Sequence, residues 1–295
     1  MAQTRSARLR ALLSGGEMVV APGAYDAITA RMIAQAGFPA VYMTGAGTAA
    51  TLGFPDYGLI TMTEMVENAA RIARAVDLPV IADADTGYGN ELNVVRTVQE
   101  HIRAGTAGIH IEDQVSPKKC GHLDDKQIVP VEDWLAKIRA AAAARTDPDF
   151  LVIARTDSRA VAGFEEAVAR SNAALAAGAD MVFLEAPQTM EEIAAVPRRV
   201  NGPCLLNVVK GGKTPDIGLK DAQAMGYKLA IVPGLLFKAV MGACDAALAE
   251  LKATQAHPAL ANNMTVRQAF QRMGADEWDA LRTRFRDAET RAAAE

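Results

Sequence analysis

The spacing of apolar residues constrains the fold of this chain more than any other feature. Short runs rich in Val and Ile alternate with longer Ala-rich segments of helical period along most of its 295 residues. This alternation is typical of parallel strands joined by crossover helices, because strands covered on both faces are apolar throughout. About eight strand and helix pairs can be counted, which is the number found in a (β/α)8 barrel.

The boundaries of these elements can be placed from the sequence. The predicted strands are Met18–Ala21, Ala40–Thr44, Pro79–Asp83, Gly108–Glu112, Phe150–Arg155, Met181–Glu185, Cys204–Val208 and Leu229–Val232. The predicted helices include Thr63–Val76, Glu91–Ala104, Val131–Ala144, Phe164–Ala177 and Leu236–Leu251, and helix C-caps are expected at Gly37, Gly105, Gly178 and Gly226. A doubly wound open sheet is the alternative, but it usually has fewer strands, and its Gly-x-Gly-x-x-Gly fingerprint is missing.

We therefore predict an α/β fold, a (β/α)8 TIM-type barrel over residues 1–254 with a helical extension over residues 255–295. Such barrels carry their chemistry at the carboxyl ends of the strands. Polar side chains occur at seven of these predicted ends in succession: Tyr25 and Asp26, Thr44, Asp83 and Asp85, Glu112 and Asp113, Arg155 and Asp157, Glu185, and Asn207. This register predicts an active site at that end of the barrel.

A divalent metal site is predicted from the carboxylates. Asp83 and Asp85 are two residues apart, so in an extended segment both would leave the same face of the strand. Together with Asp56 and Glu112 they offer oxygen ligands of the kind that Mg2+ or Mn2+ prefers. The alternative for Asp85 is a solvated carboxylate at a helix entrance that Asn90 caps.

The segment Lys118-Lys119-Cys120-Gly121-His122 places a thiol among cations in a loop after the fourth strand. Positive charge favours the ionised thiol, so we expect Cys120 to exchange a proton near neutral pH. His122 is free to face a ligand, whereas His110, inside an apolar strand, is expected to be a hydrogen-bonded core residue. Arg155 suits a substrate carboxylate, with a structural ion pair to Glu185 as the alternative.

Several classes of function are disfavoured by composition. The net charge of -4 and the lack of a dense basic stretch argue against a nucleic-acid partner. Three widely spaced cysteines indicate neither a disulfide framework nor a zinc cluster. A charged amino terminus and the absence of an apolar run near ~20 residues argue against a signal peptide or a membrane partner, so we expect a cytoplasmic protein.

The motifs identify a family resemblance over nearly the whole chain. The sequence resembles the isocitrate lyase/phosphoenolpyruvate mutase superfamily in Thr44-Gly45-Ala46-Gly47, Gly53-Phe54-Pro55-Asp56, Asp83-Ala84-Asp85-Thr86-Gly87-Tyr88-Gly89, Ile111-Glu112-Asp113-Gln114 and Lys118-Lys119-Cys120-Gly121-His122. The Cys-Gly-His loop resembles the lyase branch, because mutases and related decarboxylases typically lack the cysteine.

This resemblance implies the roles of individual residues. A metal near Asp83 would be held by Asp85, Asp56 and Glu112 largely through water. The implied substrate site comprises Tyr42, Thr44, Gly45, Ala46, Asp83, Gly121, His122, Arg155, Glu185 and Asn207. A gating loop would bring in Cys120 as general acid, with Lys118, His122, Glu112 and Arg155 as the other implied catalytic residues.

One departure from the family pattern bears on the substrate. Tricarboxylate lyases are expected to have Asn-x-Thr-Glu-Phe-Gly after the seventh strand, whereas this chain has Val209-Lys210-Gly211-Gly212-Lys213 shortly after Asn207. The latter form resembles the branch that acts on 2,3-dimethylmalate, 2-methylmalate or oxaloacetate. We therefore expect cleavage of a small 2-hydroxy dicarboxylate to a 2-oxo acid such as pyruvate, with 2-methylisocitrate cleavage, oxaloacetate hydrolysis or decarboxylation, phosphonate mutase chemistry and a catalytically idle binding protein as alternatives.

The last part of the chain is expected to form helices. Thr265-Val266-Arg267-Gln268 has the spacing of a capping box, and an amphipathic segment follows. The simplest expectation is a helix that lies on its own barrel. The family resemblance instead implies helices exchanged between subunits and a homotetramer.

Overall fold

The computed structural model describes residues 3–259 and 262–292, with side chains in the last helix described to residue 286. Its eight parallel strands pair in sequence order, and β1 closes the sheet against β8 to form a barrel. The strands are β1 (Val19–Ala24), β2 (Val41–Met43), β3 (Val80–Asp83), β4 (Gly108–Glu112), β5 (Leu151–Thr156), β6 (Met181–Leu184), β7 (Cys204–Asn207) and β8 (Leu229–Val232). The (β/α)8 prediction is confirmed, and β4 and β8 have their predicted bounds.

Helices separate successive strands, and further helices precede the first strand and follow the last one. In chain order they are α1 (Arg5–Leu13), α2 (Ala27–Gln35), α3 (Gly45–Thr51), α4 (Met62–Ala75), α5 (Glu91–Ala104), α6 (Val131–Ala143), α7 (Arg159–Ala162), α8 (Phe164–Ala176), α9 (Met190–Arg199), α10 (Leu219–Met225), α11 (Leu235–Thr254), α12 (Val266–Arg272) and α13 (Ala275–Ala292). None of the described helices is long and apolar enough to cross a membrane.

Local signals account for where several helices begin and end. Capping boxes start α2 at Asp26, α4 at Thr61 and α5 at Asn90, each satisfying backbone N–H groups that the helix leaves free. Gly105, with φ of 85°, ends α5 in the left-handed region that glycine adopts without strain. Asp26 therefore has a structural role here, although it follows a strand end as the candidate site residues do.

Two layers of apolar side chains form the core of the barrel. Ile109 and Ile111 of β4 belong to the cluster that packs against the surrounding helices, whereas Ile81, Ile153 and Phe183 belong to the cluster inside the barrel. Because side chains alternate along a strand, residues two positions beyond those inner side chains also face inward. The strand-end residues with this register are Asp83, Arg155 and Glu185, to which β7 adds Asn207 beyond Leu205.

The chain divides into two compact units, Met1–Ala239 and Val240–Glu295, so the division lies within α11 and ahead of the predicted boundary at residue 254. In the second unit Thr265 forms the predicted capping box at the start of α12. Large apolar side chains are exposed there, among them Phe270 and Trp278. An assembly that covers such side chains fits the expected homotetramer, but the tetramer and the exchanged helices remain predictions.

A fully buried histidine on α5 makes the stability of the barrel dependent on pH. The structure gives neither ring nitrogen of His101 a hydrogen-bond partner among the described residues. Burial lowers the pKa of His101 to about 4, although the Asp83 carboxylate opposes this shift. As the pH falls from about 6.5 to about 4, the unfolded chain binds a proton that the native protein does not bind. The free energy of unfolding should therefore decrease in this range.

We expect His101→Leu to reduce this acid sensitivity, because leucine fills the site without a titrating group. The substitution should remove about 3 kcal/mol of the loss between pH 7 and pH 4, the equivalent of a shift of about two and a half pKa units. His110 has its pKa lowered to about 4 as well, so part of the pH dependence will remain. Urea unfolding across this pH range measures the change, with His257→Leu at an exposed histidine as control. An equal decrease in the free energy of unfolding between pH 7 and pH 4 in the wild type and in His101→Leu would contradict this role of His101.

Candidate active site

The carboxyl ends of the strands surround a cavity of about 270 Å3. Many of the residues predicted for the site line it, namely Tyr42, Thr44, Ala46, Asp56, Asp83, Cys120, Gly121, His122, Arg155, Glu185 and Asn207. Gly45, Asp85, Glu112 and Lys118 do not line the cavity, and all four are buried. The structure thus brings most of the predicted residues together around a space suited to a small molecule.

Asp83 lies at the end of β3 and is almost fully buried. The Tyr42 hydroxyl lies 2.8 Å from His110 Nε2 and 3.4 Å from Asp83 Oδ2, so Tyr42 joins the carboxylate to a histidine inside the barrel. Burial would raise the pKa of Asp83, but His110 and the Lys118 and Arg155 cations outweigh burial and hold it below its usual range. Asp83 is therefore an ionised carboxylate at neutral pH.

Asp85 and Asp56 are joined by the ammonium group of Lys118. Lys118 Nζ lies 3.0 Å from Asp85 Oδ1 and donates a hydrogen bond to Asp56 Oδ1. Burial raises the pKa of Asp85 to about 6, an effect that Asp83 and Asp56 add to and Lys118 opposes. The expectation that Asp83 and Asp85 share an extended segment is wrong, because β3 ends at Asp83 and Asp85 has a φ of 44°.

Arg155 lies in the barrel mouth among three carboxylates. Its Nε donates to Asp157 Oδ2 at 2.9 Å, its Nη1 lies 3.1 Å from Glu112 Oε2, and its Nη2 lies 3.9 Å from Glu185 Oε1. The main ion-pair partners are thus Asp157 and Glu112, rather than the Glu185 expected from the sequence. Burial raises the pKa of Glu112 well above its usual value, although Arg155 opposes this.

His122 reaches the cavity from the loop that contains Cys120. The backbone N–H of Lys213 donates to His122 Nδ1 at 3.0 Å, so a neutral ring carries its proton on Nε2. That Nε2 lies 3.2 Å from Glu185 Oε1, and Asn207 Nδ2 donates to the same oxygen at 3.2 Å. Burial lowers the pKa of His122, an effect that Glu185 opposes. A neutral donor therefore faces the cavity.

Cys120 forms part of the cavity wall, but its environment differs from the expected one. Burial raises the pKa of the thiol to about 11, and the nearby Asp56 carboxylate adds to the shift. The expectation that cations favour the thiolate near neutral pH is wrong, because Lys118 turns toward two carboxylates. The loop thus holds a protonated thiol, which can donate a proton but is a poor nucleophile.

Two glycines permit the close approaches on which this geometry depends. A Cβ atom on Gly121 would lie 2.6 Å from Arg155 Nη2 and closer still to Glu185 Oε1. A Cβ atom on Gly45 would lie 2.9 Å from the Asp83 carboxyl carbon. The loop and α3 can therefore contact the barrel mouth only with glycine at these two positions.

The buried carboxylates offer oxygen atoms toward a cation without forming a closed cage. Asp85 Oδ1 and both carboxylate oxygens of Glu112 have no hydrogen-bond partner among the described residues, although ion pairs approach two of these three atoms. Within residues 3–259 and 262–292, no group of three His, Cys, Asp or Glu side chains converges closely enough to hold a metal directly. The carboxylates fit a cation that Asp83 contacts and the others reach through water.

The side of the cavity that the last two strands form was only partly predicted from the sequence. Val209, Gly211 and Gly212, in the segment that the sequence analysis related to substrate choice, line the cavity. Pro233, Gly234, Phe237 and Lys238 also line it and were missed, because no carboxylate or cysteine marks the segment after β8. Asp113 proves to be structural, because it binds Thr156 Oγ1, the Asp157 backbone N–H and Arg170.

The geometry defines a (β/α)8-barrel enzyme whose polar groups converge at the carboxyl ends of the strands. The sequence model of the phosphoenolpyruvate phosphomutase family matches residues 9–252. The chain therefore belongs to the phosphoenolpyruvate mutase/isocitrate lyase superfamily, as its motifs predicted.

The chain is similar to several named relatives and solved structures. It is 51% identical over 229 residues to the 2,3-dimethylmalate lyase of Eubacterium barkeri, covering 77% of this chain and 79% of that one. A crystal structure of a 2,3-dimethylmalate lyase matches with a TM-score of 0.90 at 42% identity, covering 95% of each chain. An oxaloacetate acetylhydrolase structure with 3,3-difluorooxalacetate matches at 0.90 and 38% identity, covering 94% and 96%. A phosphonopyruvate hydrolase complex with oxalate and Mg2+ matches at 0.87 and 30% identity, covering 96% and 99%.

The raised pKa of Cys120 gives a test by alkylation. Because iodoacetamide reacts with the thiolate, the Cys120 rate should keep rising through pH 10 with no plateau near pH 8 or 9. Quantifying each alkylated cysteine peptide by mass spectrometry measures this profile, and the exposed Cys244 serves as reference in the same sample. A plateau at or below pH 9 would show that the loop favours the thiolate after all.

Proposed function

We propose that this protein is a Mg2+-dependent carbon–carbon lyase that cleaves a small 2-hydroxy dicarboxylate of the 2,3-dimethylmalate or 2-methylmalate type. The products would be a 2-oxo acid such as pyruvate and a second carboxylic acid. The observation that carries the proposal is the position of Cys120 in the wall of the same cavity as Asp83 and Arg155. The similarity to a 2,3-dimethylmalate lyase supports this choice of substrate.

The cavity offers hydrogen-bond donors to the carboxylates of such a substrate. Arg155 provides guanidinium N–H groups and Asn207 an amide NH2 group, whereas the single N–H of neutral His122 is directed at Glu185. Thr44 and Tyr42 also line the cavity, and both carry hydroxyl groups. A volume of about 270 Å3 is below that of pockets for drug-sized ligands, which suits a small acid.

Asp83 would hold the divalent ion, with Asp85, Asp56 and Glu112 orienting its water ligands. When bound, the ion would polarise the 2-hydroxyl group of the substrate and so lower its pKa. Lys118 would continue to balance the charge of Asp56 and Asp85 from behind this site. Mn2+ has the same preference for oxygen ligands and is the alternative ion.

Cys120 would act as general acid when the carbon–carbon bond breaks. The 2-hydroxyl group would lose its proton to solvent as its oxygen becomes the carbonyl of the 2-oxo acid. The electron pair of the broken carbon–carbon bond leaves with the fragment that becomes the second carboxylic acid, and that carbon takes a proton from Cys120 Sγ. A thiol whose pKa burial raises is protonated before this step and can donate. The resulting thiolate regains a proton from solvent after product release, which returns the enzyme to its starting state.

Oxaloacetate hydrolysis is the second candidate function. The match to an oxaloacetate acetylhydrolase at a TM-score of 0.90 favours it, because a hydrated oxaloacetate is also a small dicarboxylate with a carbon–carbon bond to cleave. It would use the same metal and the same carboxylate donors. The two functions differ in the substrate that the purified enzyme turns over, so a direct assay distinguishes them.

A substrate panel tests the proposal. Purified protein with Mg2+ is incubated with 2,3-dimethylmalate, 2-methylmalate, 2-methylisocitrate, isocitrate, oxaloacetate or phosphonopyruvate. We expect 2-oxo acid to form fastest from one of the first two acids, and chelation of the metal to abolish turnover. Loss of oxaloacetate alone would favour the second candidate, and turnover of phosphonopyruvate would favour mutase-related chemistry. No turnover of any acid would overturn both functions.

We expect Cys120→Ser to lose most turnover, on the order of a hundredfold or more, because a serine hydroxyl is a much weaker acid than a thiol. Calorimetry should show that the variant still binds Mg2+ and pyruvate, since neither contact depends on Cys120. Cys244→Ser, which changes an exposed thiol, is the matched control and should keep the wild-type rate. An undiminished rate in Cys120→Ser would remove Cys120 from the mechanism.

A further inference from the structure

The loop that contains Cys120 is closed at its base and exposed along much of its length. We define the Cys120 loop as residues 115–127, because Val115 N donates to Gln127 O at 2.9 Å where the loop begins and ends. Leu123, Asp124, Asp125 and Gln127 are all exposed. Lys126 lies among them, yet only 1% of its side chain is accessible to solvent.

The buried ammonium group of Lys126 makes two polar contacts at the barrel mouth. Its Nζ donates to the backbone carbonyl of Gly121 and, at 2.8 Å, to Asp157 Oδ1. Removing an ammonium group from water costs several kcal/mol unless its partners compensate, so a lysine turned inward from an exposed loop requires them. The contact with Gly121 is informative, because that carbonyl lies between Cys120 and His122 in the chain.

Asp157 connects Lys126 to the substrate side of the cavity. One carboxylate oxygen of Asp157 accepts from Lys126, and the other accepts from Arg155 Nε at 2.9 Å. Both cations contribute to lowering the pKa of Asp157 to about 2, although burial alone would raise it. The same carboxylate therefore fixes both the loop and the guanidinium group that lines the cavity.

We propose that Lys126 is a positioning residue, which holds the Gly121 carbonyl against Asp157 and so places Cys120 and His122 at the cavity. This inference rests on the proposed function for its effect on turnover, but not for its effect on the loop. Among the hydrogen bonds of the described residues, Lys126 Nζ reaches the cavity lining at the Gly121 carbonyl. Its link to Arg155 runs through Asp157, which accepts hydrogen bonds from both cations. Its role is thus geometric rather than chemical.

The first test measures the loop without substrate or metal. In Lys126→Met the methylene packing is largely kept and the ammonium contacts are lost, so Cys120 should become more accessible. We expect its alkylation by iodoacetamide to be at least tenfold faster, relative to Cys244 in the same sample. Asp124→Asn removes an exposed ion pair of the same loop with Lys213 and should change the rate less than twofold. An unchanged Cys120 rate in Lys126→Met would overturn the proposal.

The second test separates positioning from a general loss of structure. On the substrate that the panel identifies, Lys126→Met should lower kcat about a hundredfold, as a displacement of about 1 Å can do, and change KM less than threefold. Lys126→Gln keeps an N–H donor for the Gly121 carbonyl and should recover part of the kcat. A kcat that stays at the wild-type value, or a loss that Lys126→Gln does not recover at all, would contradict positioning.

The two readouts also separate this proposal from the proposed function. Faster alkylation without any turnover in the panel would support the role of Lys126 and overturn the lyase assignment. Turnover in the panel, with the alkylation rate and kcat of Lys126→Met equal to those of the wild type, would support the lyase assignment and overturn the role of Lys126. Near-ultraviolet circular dichroism checks that Lys126→Met is folded, and if it is not, Lys126→Gln takes its place in the alkylation test with the same expected direction.

Discussion

Burial of charge at the mouth of a closed barrel is the constraint on which this site depends. The strand register turns Asp83, Glu112, Arg155 and Glu185 toward the inside, where water is largely excluded and an unpaired charge is costly. The structure compensates with cations on neighbouring elements. Arg155 lies between Asp157 and Glu112, and Lys118 lies between Asp56 and Asp85. The side chains proposed for catalysis therefore also form the structural ion pairs.

The need to pair buried carboxylates also explains why two lysines of the Cys120 loop hold that loop in place. Lys118 and Lys126 stand near the two ends of the segment that contains Cys120, and both direct buried ammonium groups to carboxylates at the barrel mouth. The loop thus adds two positive charges to that of Arg155 at the barrel mouth. The contacts hold the loop in place and leave the thiol buried near Asp56 and Glu185, which raises its pKa and keeps it protonated.

The sequence was sufficient for the architecture because the barrel depends on patterns that are local. Apolar runs, capping residues such as Asn90 and a glycine at position 105 determine elements over a few residues, and eight of them in succession admit few topologies. Most of the residues that line the cavity could also be predicted, since strand ends are identified once the strands are known. The part of the cavity wall at Pro233 and Phe237 could not be predicted, because in a sequence apolar residues at a strand end cannot be distinguished from core residues.

The errors about Lys118 and Cys120 have a single physical origin. Adjacency in sequence suggested that Lys118 would act on the thiol two residues away, but a charge acts on the partner that burial and distance favour. In the fold, Lys118 pairs with two carboxylates from other segments of the chain. The pKa of the thiol is therefore raised by burial and by Asp56. The reversal of the expected pKa shift suits the proposed chemistry better than the original expectation did, because an acid must hold its proton until the carbanion forms. A loop that stabilised the thiolate would have prepared a nucleophile instead, and the proposed cleavage of a 2-hydroxy acid does not need a nucleophile.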